Sequence, residues 1–301
     1  MNEEKIATLN IFDVSRSFGN QVIFDKLNWE ARAGKITAVV GPNGAGKTTL
    51  FRMMAQILEP DTGTINIGSN HKEKPLRKEM LGFMPEERSL YKDVKVSALL
   101  SYWCELRGIN NKKKKSVINK WLSICGLNEK EFEMVSSLSK GNQQKIQIAC
   151  CLLHEPDVVI FDEPFSGLDP VNQQWAVTLL TEQAELGKVV IVSAHQLELI
   201  ERFTDKIYFL KDGELKQINQ THSSSEFSFE VLGITSPEIL NSRHVRCIGK
   251  NTFQIATDSV LEEQLYNLIG RIVLDDNIRV INKNNIIDQY INLAGGVRHE
   301  C

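Results

Sequence analysis

Between residues 6 and 40 the apolar positions Leu9, Ile11 and Val14, then Ile23 and Phe24, alternate imperfectly with polar ones and break at Gly19-Asn20 and Ala33-Gly34. Alternation at period two, cut by turn residues, predicts short half-buried strands. Ile36-Val40 departs from this pattern as a nearly continuous apolar run, which predicts a strand covered on both faces. Beyond it, Leu50, Met53, Met54 and Ile57 recur at helical spacing and stop before Pro60-Asp61, so a helix is expected over Thr48-Leu58.

From residue 93 to 135 the spacing is helical throughout, carried by Leu99, Leu100, Trp103 and Leu106 and then Ile118, Trp121, Leu122 and Ile124. This stretch reads as a helical insertion at about 93–140. Strands and helices then alternate: helix 141–153, strand 157–161, helix 170–186, strand 188–193, helix 196–203, strand 206–210, and the turn Lys211-Asp212-Gly213. Alternation of this kind predicts an α/β domain with a mainly parallel sheet covered by helices. At Ser223-Ser224-Ser225 the composition changes, and a boundary is expected there, giving domains 1–222 and 223–301. Past it, Phe227-Leu232, Val245-Ile248, Thr252-Ile255 and Ile278-Ile281 read as strands, with helices over Val260-Ile269 and 284–293. That outlines a small α+β domain with no cluster of catalytic residue types.

Composition narrows the class. With 42% hydrophobic and 24% charged residues, the chain has the balance of a globular protein, and its 301 residues suit one medium domain plus a smaller one. A formal net charge of -3 offers no dominant basic field, so no nucleic-acid partner is expected. The Lys112-Lys115 run reads as a solvated face. Met1-Lys5 is polar and leads into no apolar core of a secretory signal, and no stretch nears the roughly 18 apolar residues of a spanning helix. A cytoplasmic location is therefore expected, with any membrane association made through a partner. Cysteines at 104, 125, 150, 151, 247 and 301 form no CxxC pair, which predicts buried reduced thiols rather than a zinc or disulfide framework, Cys301 excepted.

The chemistry is concentrated at a few points. Gly41-Pro42-Asn43-Gly44-Ala45-Gly46-Lys47-Thr48 fits G-x-x-x-x-G-K-[ST], between an expected strand and an expected helix. Glycines let backbone N–H groups curl around phosphate oxygens, Lys47 reaches the β- and γ-phosphates, and the Thr48 hydroxyl ligates Mg²⁺, aided by the positive end of the helix. Nucleotide binding follows, without distinguishing kinases, GTPases, motors and transport ATPases. Val158-Val159-Ile160-Phe161-Asp162-Glu163 places Asp162 at the end of an apolar strand to hold the metal through water, and Glu163 beside it to orient and polarise an attacking water. Leu138-Ser139-Lys140-Gly141-Asn142-Gln143-Gln144 opens a helix whose N-terminus suits phosphate, although an ordinary serine cap has the same appearance.

Taken in order, these motifs resemble those of the ABC ATPase family over about residues 6–220. GPNGAGKTT, including Thr49, looks like its Walker A, LSKGNQQ its signature loop, VVIFDE its Walker B, Ser166-Gly167-Leu168-Asp169 its D-loop and His195 its switch histidine. Phe18 corresponds to the aromatic residue that stacks on adenine. The resemblance implies an ABC ATPase fold with an antiparallel N-terminal β subdomain, ATP and Mg²⁺ as ligands, and a homodimer or heterodimer. In that dimer ATP is shared between the Walker A of one copy and Ser139 and Gly141 of the other. It further implies a separate integral membrane permease, which would hold the chain on the inner face of the membrane. Two departures stand out. The usual LSGGQ is Leu138-Ser139-Lys140-Gly141-Asn142, and the Q-loop glutamine that senses metal is Glu86, within Phe83-Met84-Pro85-Glu86-Glu87-Arg88. A carboxylate can ligate Mg²⁺ but cannot donate as an amide does. These variants are similar to bacterial export ATPases of the sodium-efflux type. A non-transport ABC ATPase acting on ribosomes or DNA is the alternative, disfavoured by a single Walker A and the lack of sustained heptads. A regulatory subunit that hydrolyses little is disfavoured by Glu163.

Overall fold

The computed structural model describes residues 7–69, 72–87, 90–194 and 197–218, and in addition the strands 227–231, 245–247, 252–255 and 278–281. The chain divides into two compact units, Met1–Ile218 and Asn219–Cys301.

In the first unit, a six-stranded sheet has the order β10-β9-β3-β8-β7-β6. Its strands are β3 (Lys35–Val40), β6 (Leu81–Met84), β7 (Val158–Phe161), β8 (Val189–Ser193), β9 (Lys206–Lys211) and β10 (Glu214–Ile218). All neighbours run parallel except β10, which returns from β9 as an antiparallel hairpin. The central strands β7 and β8 are buried at every position and β3 at all but Lys35, as expected of strands covered on both faces. The second sheet of this unit, in the order β2-β1-β4-β5, is antiparallel. It comprises β1 (Thr8–Phe18), β2 (Gln21–Arg32), β4 (Thr62–Ser69) and β5 (Lys72–Pro75). Leu9, Ile11, Val14 and Phe24 from this sheet share a core with Leu50, Phe51, Met53 and Met54. Burying side chains of this size contributes roughly 1.5–3 kcal/mol each.

Several elements differ from their sequence pattern. The helix after the glycine loop, α1 (Lys47–Met54), closes at Ala55, and Gln56 takes a left-handed φ of 55°, so Ile57 faces solvent instead of continuing the apolar stripe. The helical insertion is two helices, α2 (Val96–Leu106) and α3 (Asn111–Cys125), parted at Gly108 with φ 70°. After Gly126, which caps α3 in the left-handed region, only 3-10 turns at 128–130 and 135–137 precede α4 (Lys140–Leu152). Helix α5 (Pro170–Glu185) matches its expectation, whereas α6 (Leu197–Glu201) ends before the expected residue 203. Cys104, Cys125, Cys150 and Cys151 are free and buried. Burial pushes the Cys125 and Cys151 thiols up to about 12, so neither is a reactive thiolate.

The second unit contains a four-stranded antiparallel sheet in the order β12-β13-β11-β14, from β11 (Phe227–Val231), β12 (Val245–Cys247), β13 (Thr252–Ile255) and β14 (Ile278–Ile281). The helices expected over Val260-Ile269 and 284–293 lie outside the described residues.

Candidate functional site

The strand order decides what meets at the site. Because β8 lies between β3 and β7, the loop leaving β3, the end of β8 and the residues after β7 converge on one edge of the sheet. That edge, outside the carboxyl ends of parallel strands, is where such sheets bind ligands. Two glycines give the β3–α1 loop its shape. A Cβ at Gly41 would collide with the Leu210 carbonyl oxygen of β9, and Gly46 has φ 101° with Ile23 Cγ2 only 2.9 Å from where a Cβ would be. Lys47 Nζ donates to the carbonyls of Gly41 (2.8 Å) and Pro42 (3.2 Å). Burial lowers the Lys47 pKa, opposed by the fields of Glu163, Asp162 and Glu86.

Across the edge, Ser193 at the end of β8 ties the acidic pair down. Its hydroxyl donates to Asp162 Oδ1 at 2.6 Å and accepts from the Glu163 backbone N–H at 2.9 Å. Glu163 has φ 54°, a strained value for a non-glycine residue, and this hydrogen bond holds its backbone there. Asp162 is almost wholly buried, and its Oδ2 has no hydrogen-bond partner among the described residues. A cavity of about 400 Å³ lies between these groups, lined by Phe18, Ile23, the residues from Asn43 to Thr49, Glu86, Asp162 and Glu163. Phe18, at the end of β1, is half exposed. The Arg16 guanidinium sits 4.6 Å from its ring centroid and is itself fixed by Asp61 at 2.7 Å.

Ser139 and Gly141 do not line this cavity. Ser139 caps α4 by accepting from Asn142 N at 3.3 Å, and a Cβ on Gly141 would stand 2.8 Å from Asn172 Nδ2. Asp169 caps α5, accepting from Asn172 N at 3.0 Å and Asn172 Nδ2 at 2.6 Å, bonds that hold its carboxyl below the usual range. His195 lies outside the described residues. Sequence reasoning missed Ser193, Asn172 and the buried Gln147. A serine ending an apolar strand is a weak signal, but its position two residues before His195 in the same motif was available.

A second cavity of about 700 Å³ opens beside the first, between the sheet and α2 and α4, with Glu86, Gln147, Trp103 and Arg107 on its walls. Thr48, Glu86 and Asp162 line both cavities.

A glycine-rich loop between a buried parallel strand and a helix, facing an aspartate two strands away, defines a P-loop nucleotide-binding ATPase. The model of the ABC transporter family matches residues 24–166. An uncharacterized ABC transporter ATP-binding protein of Methanocaldococcus jannaschii is 38% identical over 206 residues, 68% of this chain and 75% of that one. The Nod factor export ATP-binding protein I of Burkholderia lata is 26% identical over 303 residues, 96% of this chain and 98% of that one. Among solved structures, cbiO1 from Clostridium perfringens, described as part of the ABC transporter complex cbiONQ, superposes with TM-score 0.63 at 26% identity, covering 72% of this chain and 90% of that one. The chain belongs to the family of ABC transporter ATP-binding subunits, and ATP binding and hydrolysis follow from that membership.

Proposed function

We propose that this chain works as a dimer that hydrolyses ATP to drive export through a separate membrane permease, which holds it at the cytoplasmic face of the membrane. The observation that carries the reading is the split between the two halves of the chemistry. Lys47, Asp162 and Glu163 line one cavity, which Ser139 and Gly141 do not; in this reading those two act on the cavity of a second copy. Among the described residues no helix is long and apolar enough to cross a membrane, which is consistent with a permease on another chain. Export is supported by the Burkholderia lata relative.

In this reading Phe18 stacks on adenine, and the backbone from Gly41 to Gly46 wraps the phosphates with Lys47 and Thr49. The Glu163 carboxylate orients the attacking water and accepts its proton, while His195 contacts the γ-phosphate. Thr48, Asp162 and Glu86 would hold Mg²⁺, and the unpartnered Oδ2 of Asp162 fits that role. Among the described residues no group of three or more His, Cys, Asp or Glu side chains could hold a metal by itself, which suits an ion shared with phosphate oxygens. When bound, Mg²⁺ neutralises charge developing on the phosphates. The larger cavity and the helical insertion form the surface offered to the permease. Residues 223–301 act as an accessory domain.

Glu163→Gln tests the reading. Water activation is lost while phosphate binding survives, so the variant is expected to be inactive yet to elute as a dimer with ATP and a monomer without it. A variant that stayed monomeric with ATP, or hydrolysed at the normal rate, refutes the assignment.

A further inference from the structure

Helix α4 carries amides that hold the loops around it. Gln143 Nε2 donates to Leu138 O at 3.0 Å and Val135 O at 3.2 Å, ahead of the signature serine. Gln144 Nε2 donates to Pro164 O at 2.9 Å, directly after Glu163. Gln147 Nε2 donates to both Pro85 O and Glu87 O at 3.3 Å, one carbonyl on each side of Glu86. The amide nitrogen of Gln147 therefore straddles the single residue that replaces the family glutamine. Glu86 itself borders both cavities, with Asp162 and Thr48 beside it.

Gln147 is 5% exposed and lies within the buried run Ile146, Ile148, Ala149, Cys150 and Cys151, where an aliphatic side chain of the same length would fit. Its Oε1 is buried without a hydrogen-bond donor among the described residues. The unpaired Oε1 costs free energy, so what the amide contributes rests on the two donors that hold the Pro85 and Glu87 carbonyls. A buried unsatisfied polar group calls for an explanation, and the loop that its amide holds offers one.

We infer that Gln147 is a positioning residue that fixes Glu86 relative to α4, so that displacement of the helix bearing Ser139 is passed to the metal side of the same subunit's site. This rests on the reading of Glu86 as part of the ATPase machinery. The mechanical link is made by two N–H groups on one nitrogen. Both carbonyls belong to a short loop after β6, so losing them frees the backbone of Glu86 while β6 keeps its pairing with β7. The link runs from the middle of the helix that Ser139 caps to the loop bordering the larger cavity.

The test uses the full chain with Gln147→Met, which keeps length and apolar volume and removes both donors, and Gln147→Glu, which keeps shape and removes them differently. Hydrogen–deuterium exchange is measured first without nucleotide. Amides of peptides spanning 83–90 are expected to exchange about threefold faster or more in both variants, with β7 and β8 at wild-type rates. The thermal midpoint of Gln147→Met is expected to stay within a few degrees of wild type, because the lost bonds lie in one loop and the unpaired Oε1 is removed with them. In ATPase assays kcat should fall about fivefold or more while KM for ATP stays within about twofold. Wild-type exchange in the loop overturns the inference, as does faster exchange throughout with a lowered midpoint, or a freed loop with wild-type kcat. Should the unaltered chain show no ATPase activity, the functional reading fails on its own account, and the exchange data still decide whether Gln147 holds the loop.

Discussion

Ser193→Ala removes one oxygen atom at the centre of the site, and the structure sets the size of its effect. The hydroxyl is fully buried, donates to a carboxylate at 2.6 Å and accepts from the Glu163 N–H at 2.9 Å. A hydrogen bond to a charged group contributes roughly 1.5–3 kcal/mol, and stranding a buried N–H costs about 1–3 kcal/mol more. The sum, roughly 2.5–6 kcal/mol, is a large part of the 5–15 kcal/mol that separates a typical folded domain from its unfolded chain. With a urea dependence of about 3 kcal/mol per molar, the unfolding midpoint should drop by roughly 0.8–2 M. Catalysis should suffer beyond stability, because the left-handed backbone of Glu163 loses its anchor and the carboxylate its aim. At low temperature, with the variant folded by circular dichroism, kcat is expected to fall about tenfold or more with nucleotide affinity little changed. A midpoint within about 0.3 M of wild type, or an unaltered kcat in the folded variant, refutes the argument that β8 holds the acidic pair.

Two further outcomes are expected. Gly41→Ala drives a Cβ into the Leu210 carbonyl, whereas a Cβ at Gly44 meets nothing within 4 Å although φ is 80°. Gly41→Ala should therefore destabilise by about 2–3 kcal/mol and weaken nucleotide binding, against roughly 1 kcal/mol for Gly44→Ala, read by thermal unfolding and nucleotide titration; the reverse order contradicts the geometry. The second outcome concerns His154, whose Nε2 lies 3.0 Å from Leu81 O, and whose pKa burial, with Arg107 nearby, lowers from 6.5 to about 4. Above about pH 6.5 the ring is neutral folded and unfolded; between 6.5 and 4 only the unfolded chain gains the proton, so stability falls as the pH drops through that window. After discounting for its partial exposure, the contribution is on the order of 1–2 kcal/mol, and His154→Gln should flatten that part of the stability profile relative to wild type.

The parts of this molecule that could be read from sequence are those whose environment is local or uniform. β3, β7 and β8 are covered on both faces, so their apolar runs identify them without knowledge of their neighbours. The glycine loop and the Asp162-Glu163 pair carry their own chemistry in consecutive residues. By contrast β4, β5 and β6 left no pattern strong enough to predict them. β4 reads Thr-Gly-Thr-Ile-Asn-Ile-Gly-Ser and β6 is a short edge strand, each paired with a strand far away in sequence, while β5 is exposed at every residue and held only by pairing with β4. Ser193 was hidden for a related reason: its contact with Asp162 exists because β8 separates β3 from β7, and strand order is not written in the spacing of residues. Gln147 was hidden because helical periodicity reports which face is buried, not which carbonyls lie against it.

The wedge formed by Asn172 bears on how two copies would come together. Its amide is gripped by Asp169 and lies against Gly141, so the turn before α5 and the start of α4 are packed into one surface before any partner arrives. Trp175 extends that packing by donating to the Ile124 carbonyl at the end of α3. Association of two such surfaces would resemble docking of preshaped bodies, with little loop ordering left to oppose it, so nucleotide binding could be directed toward closing the pair rather than toward organising its faces.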